Sequence, residues 1–176
     1  MKMIPDHLLR THFIQKQFNK GDILTHEGRV ECYIFYIQSG IVRFVSDINK
    51  EKEHTFDFGL AGDFVNSYNS FKNNCASEFS IQAITPVQSF RIDHDTIRLA
   101  LHESPKNAML VIEILEELLI KKTARELTLI KYSPQEIYQK LLEKEPHLIK
   151  QIPLSYIASF IGITPQALSN IRRRIF

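Results

Sequence analysis

Residues 154–173 read LSYIASFIGITPQALSNIRR, and the placing of small, apolar and capping residues here predicts two short helices joined by a tight turn. Helices that cross near a right angle need a small side chain where they approach, and Ala158 supplies it. Four positions on, Gly162 offers the positive φ that such a turn requires. Ile157, Ile161, Ile163, Leu168 and Ile171 fall where the two helices share a core. Thr164 can cap the second helix, and Pro165 fits its first turn, where no N–H is missed. The stretch reads as a helix-turn-helix.

The outward positions at the start of the second helix would reach base edges in a DNA major groove: Thr164, Gln166, Ala167, Ser169 and Asn170. Gln and Asn can each pair with adenine through two hydrogen bonds, and an alanine methyl can touch thymine, so this face favours A·T steps. Arg172, Arg173 and Arg174 follow one turn later and suit phosphates, which set affinity and register without carrying sequence. Taken alone, an arginine run at a helix end also serves as a solvated complement to the helix dipole. Its setting favours DNA. Residues 146–176 contain no acid and four bases, Lys150 and the three arginines, whereas residues 1–145 hold 18 bases against all 20 acids. The formal charge of +2 for the 176-residue chain conceals this segregation.

Upstream, Ser104-Pro105 opens a run with apolar residues at Val111, Ile114, Leu115, Leu118, Leu119, Leu127 and Ile130. That is the three-to-four spacing of an amphipathic helix over 104–131. At 1.5 Å per residue it spans about 40 Å. Its seam, interrupted by Lys121, Lys122 and Arg125, serves either to pair with a second copy or to cover the rest of the molecule. Ser133-Pro134 begins a further helix over 135–145. Residues 18–92 are different in kind: short β-branched and aromatic runs at Tyr33–Gln38, Ile41–Ser46, Thr55–Phe58, Phe79–Ala83 and Val87–Ile92. Ser39-Gly40, between the first two, reads as a two-residue hairpin. Strands this short and evenly spaced predict a small barrel or jelly roll. The fold class is therefore expected to be α+β. A jelly roll (double-stranded β-helix) is expected over 1–103, a long helix, a candidate for dimerisation, over 104–131, and a small helix-turn-helix domain lacking an obvious wing over 132–176.

Several function classes fall away. The longest apolar run, Met109–Ile120, is broken by Glu113, Glu116 and Glu117, short of the ~18–20 residues of a membrane span. The opening MKMIPDHLLRTHF is too polar for a secretory signal. Cys32 and Cys75 cannot build a disulfide framework, so a cytoplasmic location is expected. His7, His12, His26, His54, His94 and His102 show no ligand spacing, and Asp93 reads as the cap of a short helix ending near His102. No nucleophile–base pair, metal set or phosphate loop can be assembled, so no catalytic or metal-binding residue is assigned and an enzyme is not expected.

The order of roll, long helix and helix-turn-helix resembles the Crp/Fnr family of bacterial transcription regulators. KGD (Lys20–Asp22), EG (Glu27-Gly28), FYIQSGIVR (Phe35–Arg43), GDF (Gly62–Phe64) and YIASFIGITPQALSNIRR (Tyr156–Arg173) carry the likeness, the last most like the branch common in Bacteroidetes. The resemblance implies a cyclic-nucleotide-binding-type roll, a dimerisation helix and a DNA-binding unit acting on a two-fold operator. In the family's cyclic-nucleotide binders, a Gly-Glu-Leu run supplies a glutamate for the ribose hydroxyl. A later Arg-Ser/Thr-Ala supplies an arginine for the cyclic phosphate. The resemblance sets Gly62, Asp63 and Phe64 at the first place and Ser77, beside Glu78, at the arginine; no arginine lies between Arg43 and Arg91. Lys121, Lys122 and Thr123 stand where binders carry small hydroxyl residues on the long helix.

Gly62, Asp63, Phe64, Ser77 and Thr123 are thus the candidate effector pocket. Cyclic nucleotide is disfavoured, because a buried phosphate would lack its guanidinium, and no cofactor is assigned. An unidentified effector and an emptied pocket are both open. The expected function is sequence-specific transcription regulation by a homodimer. The rival is a ligand-sensing or protein-interaction module whose shortened DNA-binding unit no longer works alone. The partners called for are double-stranded DNA, a second copy of the chain, a small-molecule effector and RNA polymerase, with no membrane.

Overall fold

The computed structural model describes residues 12–48, 52–144 and 146–175. Eight strands come first: β1 (Ile14–Phe18), β2 (Ile23–Thr25), β3 (Tyr33–Ser39), β4 (Val42–Ile48), β5 (Lys52–Gly59), β6 (Phe64–Val65), β7 (Ser80–Ala83) and β8 (Val87–Asp93). A short helix, α1 (Tyr68–Asn73), lies between β6 and β7. Six helices follow: α2 (His94–Glu103), α3 (Pro105–Lys131), α4 (Pro134–Lys144), α5 (Pro146–Ile149), α6 (Leu154–Ile161) and α7 (Pro165–Ile175). None is long and apolar enough to cross a membrane.

The strands form two antiparallel sheets, ordered β1-β8-β3-β6 and β2-β7-β4-β5. Side chains alternate across each strand. Phe35, Ile37, Val65 and Val87 from one sheet therefore meet Leu24, Val42, Ile81 and Ala83 from the other inside the roll. The hairpin expected at Ser39-Gly40 is not there. β3 pairs with β6 and β8, β4 with β5 and β7, so the turn carries the chain from one sheet to the other. Gly40, at φ 94°, passes so close to Pro86 that an added Cβ would stand 2.3 Å from its carbonyl oxygen. A local sequence signal identifies the turn but not the strand that each arm will pair with.

The helix starts follow the chemistry of their caps. Asp93 accepts from Thr96 N at 2.8 Å to open α2, and Ser104 accepts from Lys106 N at 3.2 Å to open α3 with Pro105 in its first turn. Gly162, at φ 85°, closes α6 in a Schellman turn: Ile163 N donates to Ala158 O at 2.9 Å and Gly162 N to Ser159 O at 3.1 Å. Ala158 and Leu168 are fully enclosed at 0% exposure, as the crossing of α6 and α7 requires. Full burial of a side chain such as Leu168 contributes about 1.5–3 kcal/mol.

The helix-turn-helix is not a separate bead. Its core of Ile152, Ile157, Ala158, Ile161 and Leu168 runs on into Ile41 and Ile84 of the roll. α6 lies along β5, where Thr55 N donates to Ser159 Oγ at 2.9 Å and the Phe160 ring stands 5.1 Å from Phe58.

Candidate nucleic-acid interface and roll pocket

α7 turns its buried residue, Leu168, toward α6, and at 100° per residue the opposite face carries Gln166, Asn170 and Arg173, all exposed. Thr164 caps the helix, its Oγ1 accepting from Ala167 N at 3.2 Å, which fixes where that face begins. Ala167 and Ser169 flank it, half-buried, and Arg174 is exposed beside it. The Arg173 guanidinium donates to Asn170 Oδ1, so the cation and the amide form one unit on the helix surface. Arg172 stands apart. It lies a turn beyond Leu168, on the side of α7 that borders a groove with Gln139 and Glu143 of α4. The structure thus gathers Gln166, Asn170 and Arg173 on one surface, flanks them with Ala167, Ser169 and Arg174, and turns Arg172 toward the α4 side.

What holds this surface in place is the contact of α6 with the roll, and sequence reasoning missed most of it. Arg43 is buried on β4, donating to Gln82 at 2.8 Å and Thr55 at 3.3 Å, with its guanidinium 3.9 Å from the centre of the Tyr156 ring. Ser159 Oγ lies 3.1 Å from His54 Nδ1. Arg125 of α3 reaches over the Phe160 ring at 4.2 Å, and its Nη1 donates to Asp57 of β5 at 2.8 Å. The available signal was Tyr156 and Phe160, one helical turn apart on a face that the helix pair's own core does not use.

Asp57 and Arg125 show the cost of that burial. Desolvation pushes the Asp57 carboxyl up, against the pull of the Arg125 charge, and pushes the Arg125 guanidinium down, against the pull of Asp57. Lys121, one turn earlier on α3, pairs with Asp63. Two ion pairs therefore pin the C-terminal half of the long helix to β5 and to the turn after it.

Of the five candidate pocket residues, Gly62, Asp63 and Phe64 stand together at the β5–β6 turn, Ser77 precedes β7 and Thr123 is on α3. Gly62, at φ 93°, and Asp63 make the β5–β6 turn, in which Asp63 Oδ2 accepts from Leu60 N at 3.0 Å. Its carboxylate serves that turn and Lys121. Phe64 faces outward from the roll, 5.2 Å from the Tyr36 ring. Ser77 is buried and donates its hydroxyl to Phe79 O at 2.6 Å. Thr123 is exposed, two residues from Lys121 and hence on the far side of α3.

The residues around Ser77 do not fit a cyclic phosphate. The chain beside it, residues 28–31, is tied to it through Gly28 N to Ser77 O at 2.8 Å and Ser77 N to Arg29 O at 2.8 Å. That segment buries a carboxylate, Glu31, which accepts from Thr25 Oγ1 and from Tyr33 N. Arg29 is exposed. Among the described residues no group of His, Cys, Asp and Glu is placed to hold a metal ion.

Comparison with known proteins agrees with this architecture. Among solved structures the chain is similar to FixK2 from Bradyrhizobium japonicum, with 15% identity, TM-score 0.76, and coverage of 93% of this chain and 84% of that one. It is similar to a CooA mutant from Carboxydothermus hydrogenoformans, with 18% identity, TM-score 0.71, and coverage of 97% and 78%. It is also similar to CLP, the c-di-GMP-responsive global regulator of Xanthomonas campestris, with 16% identity, TM-score 0.74, and coverage of 97% and 89%. Identities this low show a common fold, that of Crp/Fnr-type regulators. No curated protein matches the sequence. The cyclic nucleotide-binding domain family matches over residues 15–104, more than half of the chain, which therefore belongs to that family.

Proposed function

We propose that the protein is a homodimeric transcription regulator that binds DNA in a sequence-specific manner. In this reading residues 1–103 form the sensor, 104–131 the dimerisation helix and 132–176 the DNA-binding unit. The observation that carries it is the outer surface of α7, where Gln166, Asn170 and Arg173 stand exposed together in a segment without acids. Amide side chains at the start of a recognition helix read base edges, and arginines beside them hold phosphates.

Dimerisation is supported by α3, whose apolar residues stand uncovered along one side. Leu119 is 66% exposed and Ile130 81%, and the pairs Ile112–Leu119 and Ile120–Leu127 are each one heptad apart. Two such units would present two α7 helices to a pseudo-palindrome. Selection from a random-sequence DNA pool by gel shift, at two salt concentrations, tests the reading. A recovered two-fold motif whose affinity falls steeply with salt supports it. Failure to retain any duplex at low salt refutes it.

A further inference from the structure

A cavity of about 460 Å3 lies between the roll, α1, α2 and the N-terminal half of α3. Its floor is Ile34, Phe64 and Ile92, and its roof Leu110, Ile114 and Leu118. Ile34 and Phe64 alternate with Phe35 and Val65, which fill the roll. The cavity is therefore on the outer face of the β1-β8-β3-β6 sheet, separate from the roll interior and from Ser77. It also lies under the side of α3 facing the roll, away from the uncovered seam.

The titratable nitrogen bases at this cavity face no carboxylate in its described lining. Among the described residues no Asp or Glu lines it, whereas His12, Lys72, His94 and Arg98 do. His12 is paired with Glu103 at 3.1 Å and Arg98 with Asp95 at 3.7 Å, both carboxylates lying outside the lining. The His94 ring rests on Phe71 at 5.6 Å. Lys72, at the end of α1, has no ion-pair partner among the described residues. Asn66, just before the start of α1, also lines the cavity, its Nδ2 enclosed and without a hydrogen-bond partner among the described residues. An enclosed donor without an acceptor is costly, and a ligand oxygen would relieve it. The size suits small-molecule sites, which run from about 300 to 1,000 Å3.

We propose that this cavity binds an amphipathic organic anion, a medium-chain carboxylate, with its acyl chain between the sheet and α3 and its carboxylate toward Lys72 and Asn66. Apolar walls select the chain, and Lys72 together with the Asn66 amide selects the head. The site stands whether or not α7 binds DNA, because its test contains no DNA.

The experiment is isothermal titration of the full chain with three probes that share a dodecyl-length, twelve-carbon chain: laurate, dodecanol and dodecyltrimethylammonium. Laurate is expected to bind at micromolar concentration, dodecanol at least tenfold more weakly, and the cation not at all. Leu110→Trp, which fills the cavity, should abolish laurate binding. Lys72→Glu, an exposed change that leaves packing intact, should weaken it about tenfold, and it decides the matter if the tryptophan variant does not fold. Equal affinity for laurate and dodecanol, no laurate binding, or binding indifferent to Lys72→Glu overturns the proposal. So does laurate binding that appears only after residues 1–11 are deleted. The chain's own N-terminal stretch, which runs on into His12 and Phe13 at the cavity wall, would then be its occupant.

Discussion

Replacing Phe160 by alanine asks whether the helix-turn-helix and the roll are one cooperative unit. The ring packs on Phe58 and lies under the Arg125 guanidinium, so three contributions are lost together. An aromatic pair contributes about 1 kcal/mol beyond area. A partly exposed cation–π contact adds about 0.5 kcal/mol. Removing a half-buried ring adds a further fraction of the ~3–5 kcal/mol measured for a fully buried one. A loss of about 2–3 kcal/mol follows, and at ~2–4 °C per kcal/mol for a chain of this size the thermal midpoint should fall by about 5–10 °C. The assay is urea and thermal unfolding at fixed protein concentration, with hydrogen exchange read separately for amides of β5 and of α6. Because Ile41 and Ile84 share a core with Ile157 and Leu168, β5 and α6 should lose protection by the same amount. If α6 opens alone while β5 keeps its wild-type protection, the shared core is not energetically real and the docking argument fails.

Three further outcomes follow from local geometry. Gly162→Ala should destabilise by about 1–2 kcal/mol in urea unfolding, since open space surrounds the site and only the positive φ resists a Cβ. Burial raises the Glu31 carboxyl above its ordinary value, against hydrogen bonds from Thr25 and the Tyr33 backbone. The folded state thus holds this proton more tightly than the unfolded state does. Glu31's contribution to stability is fully present below the unfolded pKa and is lost as pH rises through the raised folded one; Asp57 acts with the same sign. Glu31→Gln should therefore flatten the fall in urea midpoint across that window, and an unchanged slope would count against the assignment. For DNA, Arg173→Gln with Arg174→Gln should lower the slope of log affinity against log salt by about 0.9 per lost phosphate contact. Arg172→Gln, on the α4 side of α7, should leave that slope alone in the same gel-shift series.

Much of this fold was legible because helices are specified locally. Ser104-Pro105 marks the start of α3, and Ala158, Gly162 and Thr164-Pro165 mark the crossing, turn and cap of the C-terminal pair. The partners of strands are not local. Ser39-Gly40 shows a turn in either topology, and only the assembled roll reveals that β3 and β4 belong to different sheets. α1 escaped notice because it is a single polar turn and a half, YNSFKN, burying only Ser70 and Phe71. Which residues share the outer face of α7 could be inferred because helical periodicity fixes it. The engagement of Asp63 could not, because its acidity is visible in the sequence whereas its use in a turn and in an ion pair with Lys121 is not.

The continuity between roll and helix-turn-helix bears on how the molecule can be divided. A fragment cut between Lys131 and Pro134 to isolate the C-terminal helices would carry Tyr156 and Phe160 on its surface with nothing over them. The roll left behind would bare Phe58 and uncover the face of the Arg43 guanidinium, which keeps Glu53, Gln82 and Thr55 as its partners. Neither half would be a tidy piece: both would be sticky, and domain exchange between neighbouring molecules would restore what the cut removed.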